Sequence, residues 1–332
     1  MKKILTHLFE HKKLSKAEAK DVLINISKGA YNDAQVSAFI TVFQMRSISE
    51  HELQGFAEAM LELCIPVELD GIPTIDLCGT GGDNKNTFNI STLASFVVAG
   101  AGYKVTKHGN YGVSSKCGSS DLLETVGYKF TNDVDQLKRQ LDKSNICFLH
   151  APLFHPAMKA IAPIRKQLGI KTFFNMLGPL VNPSKPMYQL AGVFNLELAR
   201  LYAYIFFQKP GKRFAVIHSL DGYDEVSLTG DFKIKTQLSD QVLNASDLGL
   251  SSVLPEDIHG GDTKDDAASI FMQVLKGVGT QAQQAAVCAN AGIAIQICEP
   301  TLSLPDAVLQ AKESILSGKA FTSFKNLIDL AA

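Results

Sequence analysis

The sequence predicts an α/β protein with a small N-terminal helical-bundle domain and a larger α/β domain built on a mainly parallel central sheet. Three observations carry that expectation. Capping signals and helical spacing run through the first 70 residues, short apolar strands alternate with helices from Pro73 onward, and 332 residues suit about two domains.

Ser15 and Glu18 form a capping-box pattern, and Ala19, Val22, Leu23 and Ile26 behind them share one helical face. Asn32 opens a second helix with Val36, Phe39, Ile40 and Phe43 in the same spacing. Ser49, with Glu52 three residues on, opens a third helix whose face is Leu53, Phe56, Ala57, Met60 and Leu61, and Pro66 closes it. Residues 1–70 therefore read as a helical bundle carrying no chemistry. Thr74–Cys78 is a short apolar strand running into glycines. An Ala/Val-rich helix follows from about Ser91, then a strand at Tyr103–Thr106, a helix from about Ser119 and a strand at Ile146–Leu149. Leu196–Phe207 reads as a helix and Phe214–Ile217 as a strand. This alternation argues for a parallel, two-sided sheet occupying 71–332. A helical stretch near Ala157–Gly169 precedes a Pro-rich crossing, Gly178 to Pro186, so a return of the chain towards the bundle is expected near 165–187.

Composition sets limits. Hydrophobic residues at 46% and charged ones at 20% are ordinary for a core-forming chain, and 25 Gly with 12 Pro exclude a disordered or collagen-like one. Lys plus Arg (32) balance Asp plus Glu (33), so no global field gathers nucleic acid or anionic lipid. Any bound anion must be held locally. The longest apolar stretch, Ala285–Cys298, is broken by Asn290 and Gln296 and is too short to span a bilayer. The N-terminal apolar residues are interrupted by His7 and Glu10, so a signal peptide is not expected. The six cysteines show no metal spacing and read as reduced thiols of a cytoplasmic protein.

Two loops carry the chemistry. Gly79-Thr-Gly-Gly-Asp83 follows a strand, and its glycines let backbone amides approach a ligand; a plain tight turn is the alternative. The spacing matches neither a nucleotide-binding P-loop nor a dinucleotide fingerprint. Asn89-Ile90-Ser91-Thr92 then places small donors at a helix N-terminus, where free amides favour an anion, although Ser91 also suits a simple N-cap. Lys107-His108-Gly109-Asn110, at the end of the next strand, falls on the same sheet edge, followed by Ser114, Ser115, Gly118 and Ser119. A cation, hydroxyls and open backbone suit phosphate or pyrophosphate. Asp224-Glu225 follows another strand; the pair reads as a solvated surface or, beside phosphate, as ligands for Mg²⁺. His218, His150 and His155 lack metal-ligand spacing and read as structural, with substrate lining open for the latter two. Arg165 lies on a helix, where a surface role is the alternative to function.

In order and spacing these segments resemble the anthranilate phosphoribosyltransferase family, over nearly the whole chain: Gly79–Asp83, Asn89–Thr92, Lys107–Glu124, His155–Gly169, Thr172–Pro183 and Asp221–Ser227. The resemblance implies a helical and an α/β domain joined by a hinge, a homodimer through the helical domain, and transfer of phosphoribose from phosphoribosyl pyrophosphate to the amine of anthranilate in tryptophan biosynthesis. It implies Mg²⁺, two ions per subunit, and no nucleic-acid or membrane partner. Carried over by position, Gly79, Gly82, Asp83, Thr87, Asn89, Ile90, Ser91, Thr92, Lys107, His108, Gly109, Asn110, Ser114, Ser115 and Ser119 belong to phosphoribosyl pyrophosphate. Gly79, His108, Asn110, Arg165 and Gly178 belong to anthranilate, and Ser91, Asp224 and Glu225 to the metal. Lys107 would act as electrostatic stabiliser, and no strong general base is expected.

Four positions depart from the family's usual residues: Ser120 for alanine, Lys171 for arginine, Ser219 for glycine and Tyr223 for leucine; none removes a donor or ligand. Two rival readings are a pyrimidine nucleoside phosphorylase, whose chains are longer and lack the Asp-Glu pair, and a non-catalytic relative that binds nucleic acid, disfavoured by the near-zero net charge.

Overall fold

A computed structural model of the chain describes residues 1–112 and 116–331. In chain order the elements are α1 (Lys2–Phe9), α2 (Lys16–Ser27), α3 (Asp33–Met45), α4 (Glu50–Leu63), β1 (Ile75–Gly79), α5 (Ile90–Gly100), β2 (Val105–Gly109), α6 (Ser119–Thr125), α7 (Val134–Ser144) and β3 (Ile146–His150). There follow α8 (Ala151–Phe154), α9 (Met158–Leu168), β4 (Tyr188–Gly192), α10 (Leu196–Phe207), β5 (Arg213–Ser219), β6 (Phe232–Thr236), β7 (Asp240–Leu243), α11 (Lys264–Leu275), α12 (Gln281–Cys298), α13 (Leu304–Leu316) and α14 (Lys319–Ala331).

The chain divides into two compact units: Met1–Val67 with Ala151–Lys185, and Glu68–His150 with Pro186–Ala332. In the helical unit both capping boxes form, Ser15 with Glu18 and Ser49 with Glu52, because each hydroxyl accepts an otherwise free N3 amide. Its core is aromatic. Phe56 stacks on Phe173 with centroids 4.5 Å apart, and Phe39 and Phe43 pack edge-on against both rings. Phe173 comes from the 151–185 segment, so burial of that ring fastens the segment to α3 and α4.

The second unit is a seven-stranded sheet of order β3-β2-β1-β4-β5-β6-β7, parallel through β5 and antiparallel beyond. The order reverses between β1 and β4, so the crevice at their carboxyl ends is the site at which such sheets bind ligands. Helix α12 is buried along most of its length, in keeping with a helix that is apolar nearly all round. Among the described residues no helix is long and apolar enough to cross a membrane.

Three expectations about elements are corrected. The strand expected at Tyr103–Thr106 runs from Val105 to Gly109, because its parallel pairing with β3 continues to Gly109 opposite His150. Lys107 and His108 are therefore strand residues rather than part of the loop after it. Ser91 is not an N-cap: Asn89 holds that position, and helix α5 begins at Ile90. Strand β4, central in the sheet, the β6–β7 hairpin and the helices α7, α8 and α11–α14 have no counterpart among the expected elements.

Candidate active site

The site grows from the ends of β1, β2 and β5. Gly79 of β1 pairs with Gly192 of β4, and both lack side chains for one reason. A Cβ at Gly79 would lie 2.5 Å from Asp224 Oδ2, and one at Gly192 would lie 1.7 Å from the Asp224 carbonyl oxygen. The two strand ends thus form a seat that only glycine permits, and Asp224 occupies it. Gly81 and Gly82 turn the chain in the left-handed region, at φ +61° and +85°. That turn aims the Gly81 N–H at Asp224 Oδ2, 2.7 Å away.

Three acids gather around this seat. The Asp224 N–H faces Asp83 Oδ2 at 3.5 Å, and Glu225 Oε2 accepts from the Thr87 hydroxyl at 3.1 Å. Burial and then the neighbouring Asp83 push the Asp224 carboxyl up to about 7. Burial, Asp224 and Asp83 push Glu225 well above the usual carboxylate range. Asn290, the polar break in α12, holds the pair in place: its side chain bonds both the N–H and the carbonyl of Val226, at 3.1 and 2.9 Å. Sequence reasoning used Asn290 only against a membrane span. An asparagine amide amid buried apolar residues was the available signal, since such a group needs a partner. Gly192 was missed with its strand.

The donor set fits a hard divalent cation. Two adjacent carboxylates that resist ionisation together are relieved by a cation between them and phosphate oxygens. Among the described residues no three His, Cys, Asp or Glu side chains form a metal-holding group. Mg²⁺ takes one or two carboxylates and completes its shell with substrate and water, a need that Asp224 and Glu225 can meet.

Several other predicted residues lie at the carboxyl end of β2 or in the first turn of α5. Ser91 and Thr92 lie in the first turn of α5, and the hydroxyls of Thr92 and of Thr80 in the glycine loop are buried without a hydrogen-bond partner. Asn89, at the N-cap position, makes no side-chain bond to its helix; its side-chain amide donates to the Cys117 carbonyl at 3.0 Å, tying the first loop to the second. Lys107 is only 2% exposed, and its ammonium donates to the Leu77 carbonyl at 2.7 Å. Burial lowers its pKa, while Cys78, Asp76 and Glu225 oppose that shift. Its charge therefore sits under the strand edge, near the acidic pair. The His108 N–H donates to Asp76 Oδ1 at 3.1 Å. Beyond Gly109, the Asn110 carbonyl accepts from the Ser120 N–H and the Ser119 hydroxyl at 3.1 and 3.3 Å. Ser114 and Ser115 lie outside the described residues.

Arg165 and Gly178 belong to the helical unit. Arg165 is half-buried on α9 rather than on an open surface; its Nη2 donates to Asn175 Oδ1 at 3.2 Å and the guanidinium lies 5.5 Å from the Phe174 ring centre. Burial lowers its pKa. His218 is structural, with Nδ1 2.8 Å from the Val193 carbonyl. His150 stacks on Phe130 at 4.2 Å and meets the Ser120 hydroxyl at 2.8 Å.

Comparison with known proteins identifies the family. Residues 2–64 match the helical bundle domain and residues 71–321 the a/b domain of a glycosyl transferase family. The anthranilate phosphoribosyltransferase of Christiangramia forsetii is 55% identical, covering 100% of this chain and 99% of its own. That of Flavobacterium psychrophilum is 56% identical with 100% of both chains covered. Among solved structures, the Thermus thermophilus enzyme superimposes with TM-score 0.91 at 31% identity over 98% of each chain. The Saccharomyces cerevisiae enzyme in complex with PRPP and Mg gives 0.91 at 29% identity, over 98% of this chain and 96% of its own. Matched from end to end by enzymes of one name, the chain belongs to the anthranilate phosphoribosyltransferase family.

Proposed function

We propose that this protein transfers the 5-phosphoribosyl group from phosphoribosyl pyrophosphate to the amine of anthranilate, releasing pyrophosphate. One observation carries the reading: an acidic pair, Asp224-Glu225, is seated against the glycine loop and the strand ends at the sheet's switch point. Asp224 and Glu225, with Ser91, would hold Mg²⁺, for which the seat fits. When bound, the ion supplies positive charge against the departing pyrophosphate. The amides of Gly79–Asp83 and the first turn of α5, with Thr87, Asn89 and Thr92, bind phosphate oxygens, since free N–H groups and the helix dipole favour anions. Lys107 adds charge from beneath. Ser119, with Ser114 and Ser115, completes the set.

The ribose C1 becomes cationic as its bond to pyrophosphate breaks, so fixed charge on the leaving group is the main catalytic term. Anthranilate's aromatic amine is already a free base at neutral pH, and alignment replaces a general base. Arg165, held flat by Asn175 and Phe174, is assigned to the anthranilate carboxylate, which its planar fork matches. Gly178, His108, Asn110 and Gly79 are assigned to the same substrate.

Two Mg²⁺ ions per subunit are part of the proposal, supported by Ser91 lying on α5 while the acidic pair follows β5. So is a homodimer through the helical domain, supported there by exposed Phe9 and Met45, 61% and 81% accessible. A cytoplasmic location is supported by six free cysteines. Purified protein given anthranilate, phosphoribosyl pyrophosphate and Mg²⁺ tests the activity through loss of anthranilate fluorescence. Loss that requires all three is expected; no loss with fully folded protein would overturn the reading.

A further inference from the structure

The two anion-binding loops are fastened to a third segment, Ile258–Lys264, that no role above has used. It leads into α11, whose first residue is Lys264, and touches each loop separately. Towards the first loop, the Gly260 N–H donates to the Asn86 carbonyl at 2.7 Å and the Phe88 N–H to the Ile258 carbonyl at 3.2 Å. The Asn86 side chain donates back to the Gly261 carbonyl at 2.8 Å and lies 3.1 Å from His259 Nε2. A Cβ at Gly260 would stand 2.6 Å from the Thr87 carbonyl oxygen, so the two backbones are in direct contact. Towards the second loop, Asp262 pairs with Lys116 at 2.5 Å and Lys264 pairs with Asp121 at 2.5 Å.

Asp121 is where this second attachment matters. Its carboxylate is nearly buried, and Oδ2 accepts from the N–H groups of Gly112 and Gly118 at 2.8 and 3.0 Å. A Cβ on Gly118 would fall 2.1 Å from the Gly112 nitrogen, so these two backbone positions are in direct contact. The other oxygen, Oδ1, receives Lys264. The segment's far end is anchored in turn, since Asp266 of α11 accepts from the N–H groups of Asp262 and Thr263. One short segment thus grips the first loop by its backbone and the second through the acid that joins Gly112 to Gly118.

We propose that Ile258–Lys264 is a brace that sets the spacing between the two phosphate-binding loops, with Asp121 and Lys264 as positioning residues for the pyrophosphate-bearing substrate. The inference rests on the function proposed above. The Lys264 side chain is half exposed, so its ion pair adds little to fold stability. Its effect is on where the second loop stands, and hence on one substrate.

The test is steady-state kinetics and thermal melting of Lys264→Met, Lys264→Arg and Asp121→Asn, with each substrate varied in turn. Lys264→Met should raise the KM for phosphoribosyl pyrophosphate roughly three- to tenfold. Its kcat, its anthranilate KM and its melting temperature should stay at parental values, and Lys264→Arg should restore the parental KM. Asp121→Asn should raise the same KM and speed hydrogen exchange at the Gly112 and Gly118 amides. An unchanged KM in folded Lys264→Met would overturn the proposal, as would an equal rise for both substrates. If the parent protein transfers nothing to anthranilate, the functional reading fails on its own. The brace is then decided by calorimetric titration with pyrophosphate and Mg²⁺: weaker binding in Lys264→Met but not in Lys264→Arg upholds it, and equal binding in all three overturns it.

Discussion

Glu52 in the helical unit and Asp224 in the α/β unit are both carboxylates with almost no exposed surface, yet their surroundings push them in opposite directions. Burial raises the Glu52 pKa, but Arg46, the Leu14 N–H and Ser49 outweigh it and hold the group below its ordinary value. The Arg46 guanidinium grips both oxygens, at 2.5 and 3.0 Å. Asp224 receives the Gly81 N–H but faces Asp83, and it is pushed up to about 7. The first acid is completed by its own chain. The second is left for a ligand to complete. A buried charge with full partners is structural, whereas one held against its preference marks a functional site.

Breaking the completed acid should have the largest effect. Glu52→Leu leaves the mostly buried Arg46 without its acid, and should cost about 3–5 kcal/mol of stability in denaturant unfolding. Turnover per folded molecule should be unchanged. A loss under about 1 kcal/mol would show that Arg46 regains water instead.

Removing the incomplete pair should do the reverse. Asp224→Asn with Glu225→Gln should lower kcat by about 10²–10³ while leaving the metal-free protein as stable as the parent, or more so, at pH 8. Unchanged activity across a Mg²⁺ titration would leave the pair a purely structural role.

Arginine repeats the contrast with the sign reversed, since Arg46 has its acid and Arg165 has only Asn175 and an aromatic face. Arg165→Ala should remove a charge-assisted contact of about 1.5–3 kcal/mol and raise the anthranilate KM by about one to two orders of magnitude. The KM for phosphoribosyl pyrophosphate should hold, and Arg165→Lys should rescue only in part. An unchanged anthranilate KM would move the carboxylate to another partner.

The smallest effect is a pH dependence. Asp224 has a folded pKa raised above its ordinary 3.8 to about 7, so protonation favours the metal-free fold. Its contribution to stability is present at low pH and fades as pH rises through about 7. Mg²⁺ needs the ionised form, so its affinity should climb with pH, at most about tenfold per unit, and level off above that range. Calorimetric titration of Mg²⁺ between pH 5.5 and 8.5 checks it, and a flat profile would mean that Asp224 is ionised throughout.

Much of the site was legible because its parts are local. The glycines of 79–82, the small donors of 89–92 and the adjacent acids at 224–225 each announce their chemistry within a few residues. What stayed hidden was contact at long range. Strand β4 is short, and its Gln189 and Gly192 blur an apolar run, although pairing with β1 and β5 buries it. Lys107 looked like a loop cation because nothing in its neighbours shows that the ladder with β3 continues past Thr106.

The sequence by itself determined the helix starts at Ser15 and Ser49, the glycine turn after β1 and the strand–helix alternation from β1 to β3. These depend on backbone conformation and on hydrogen bonds spanning three or four residues. Only the tertiary structure decided that Glu52 meets Leu14 and Arg46, that Gly192 makes room for Asp224, and that Asp121 and Lys264 join across 143 positions. Strand order and burial arise from contacts between distant segments, and burial sets how strongly a charge is desolvated. Whether a given acid becomes a structural anchor or a seat for a ligand is therefore not settled by its neighbours in the chain, but by which groups the fold brings against it.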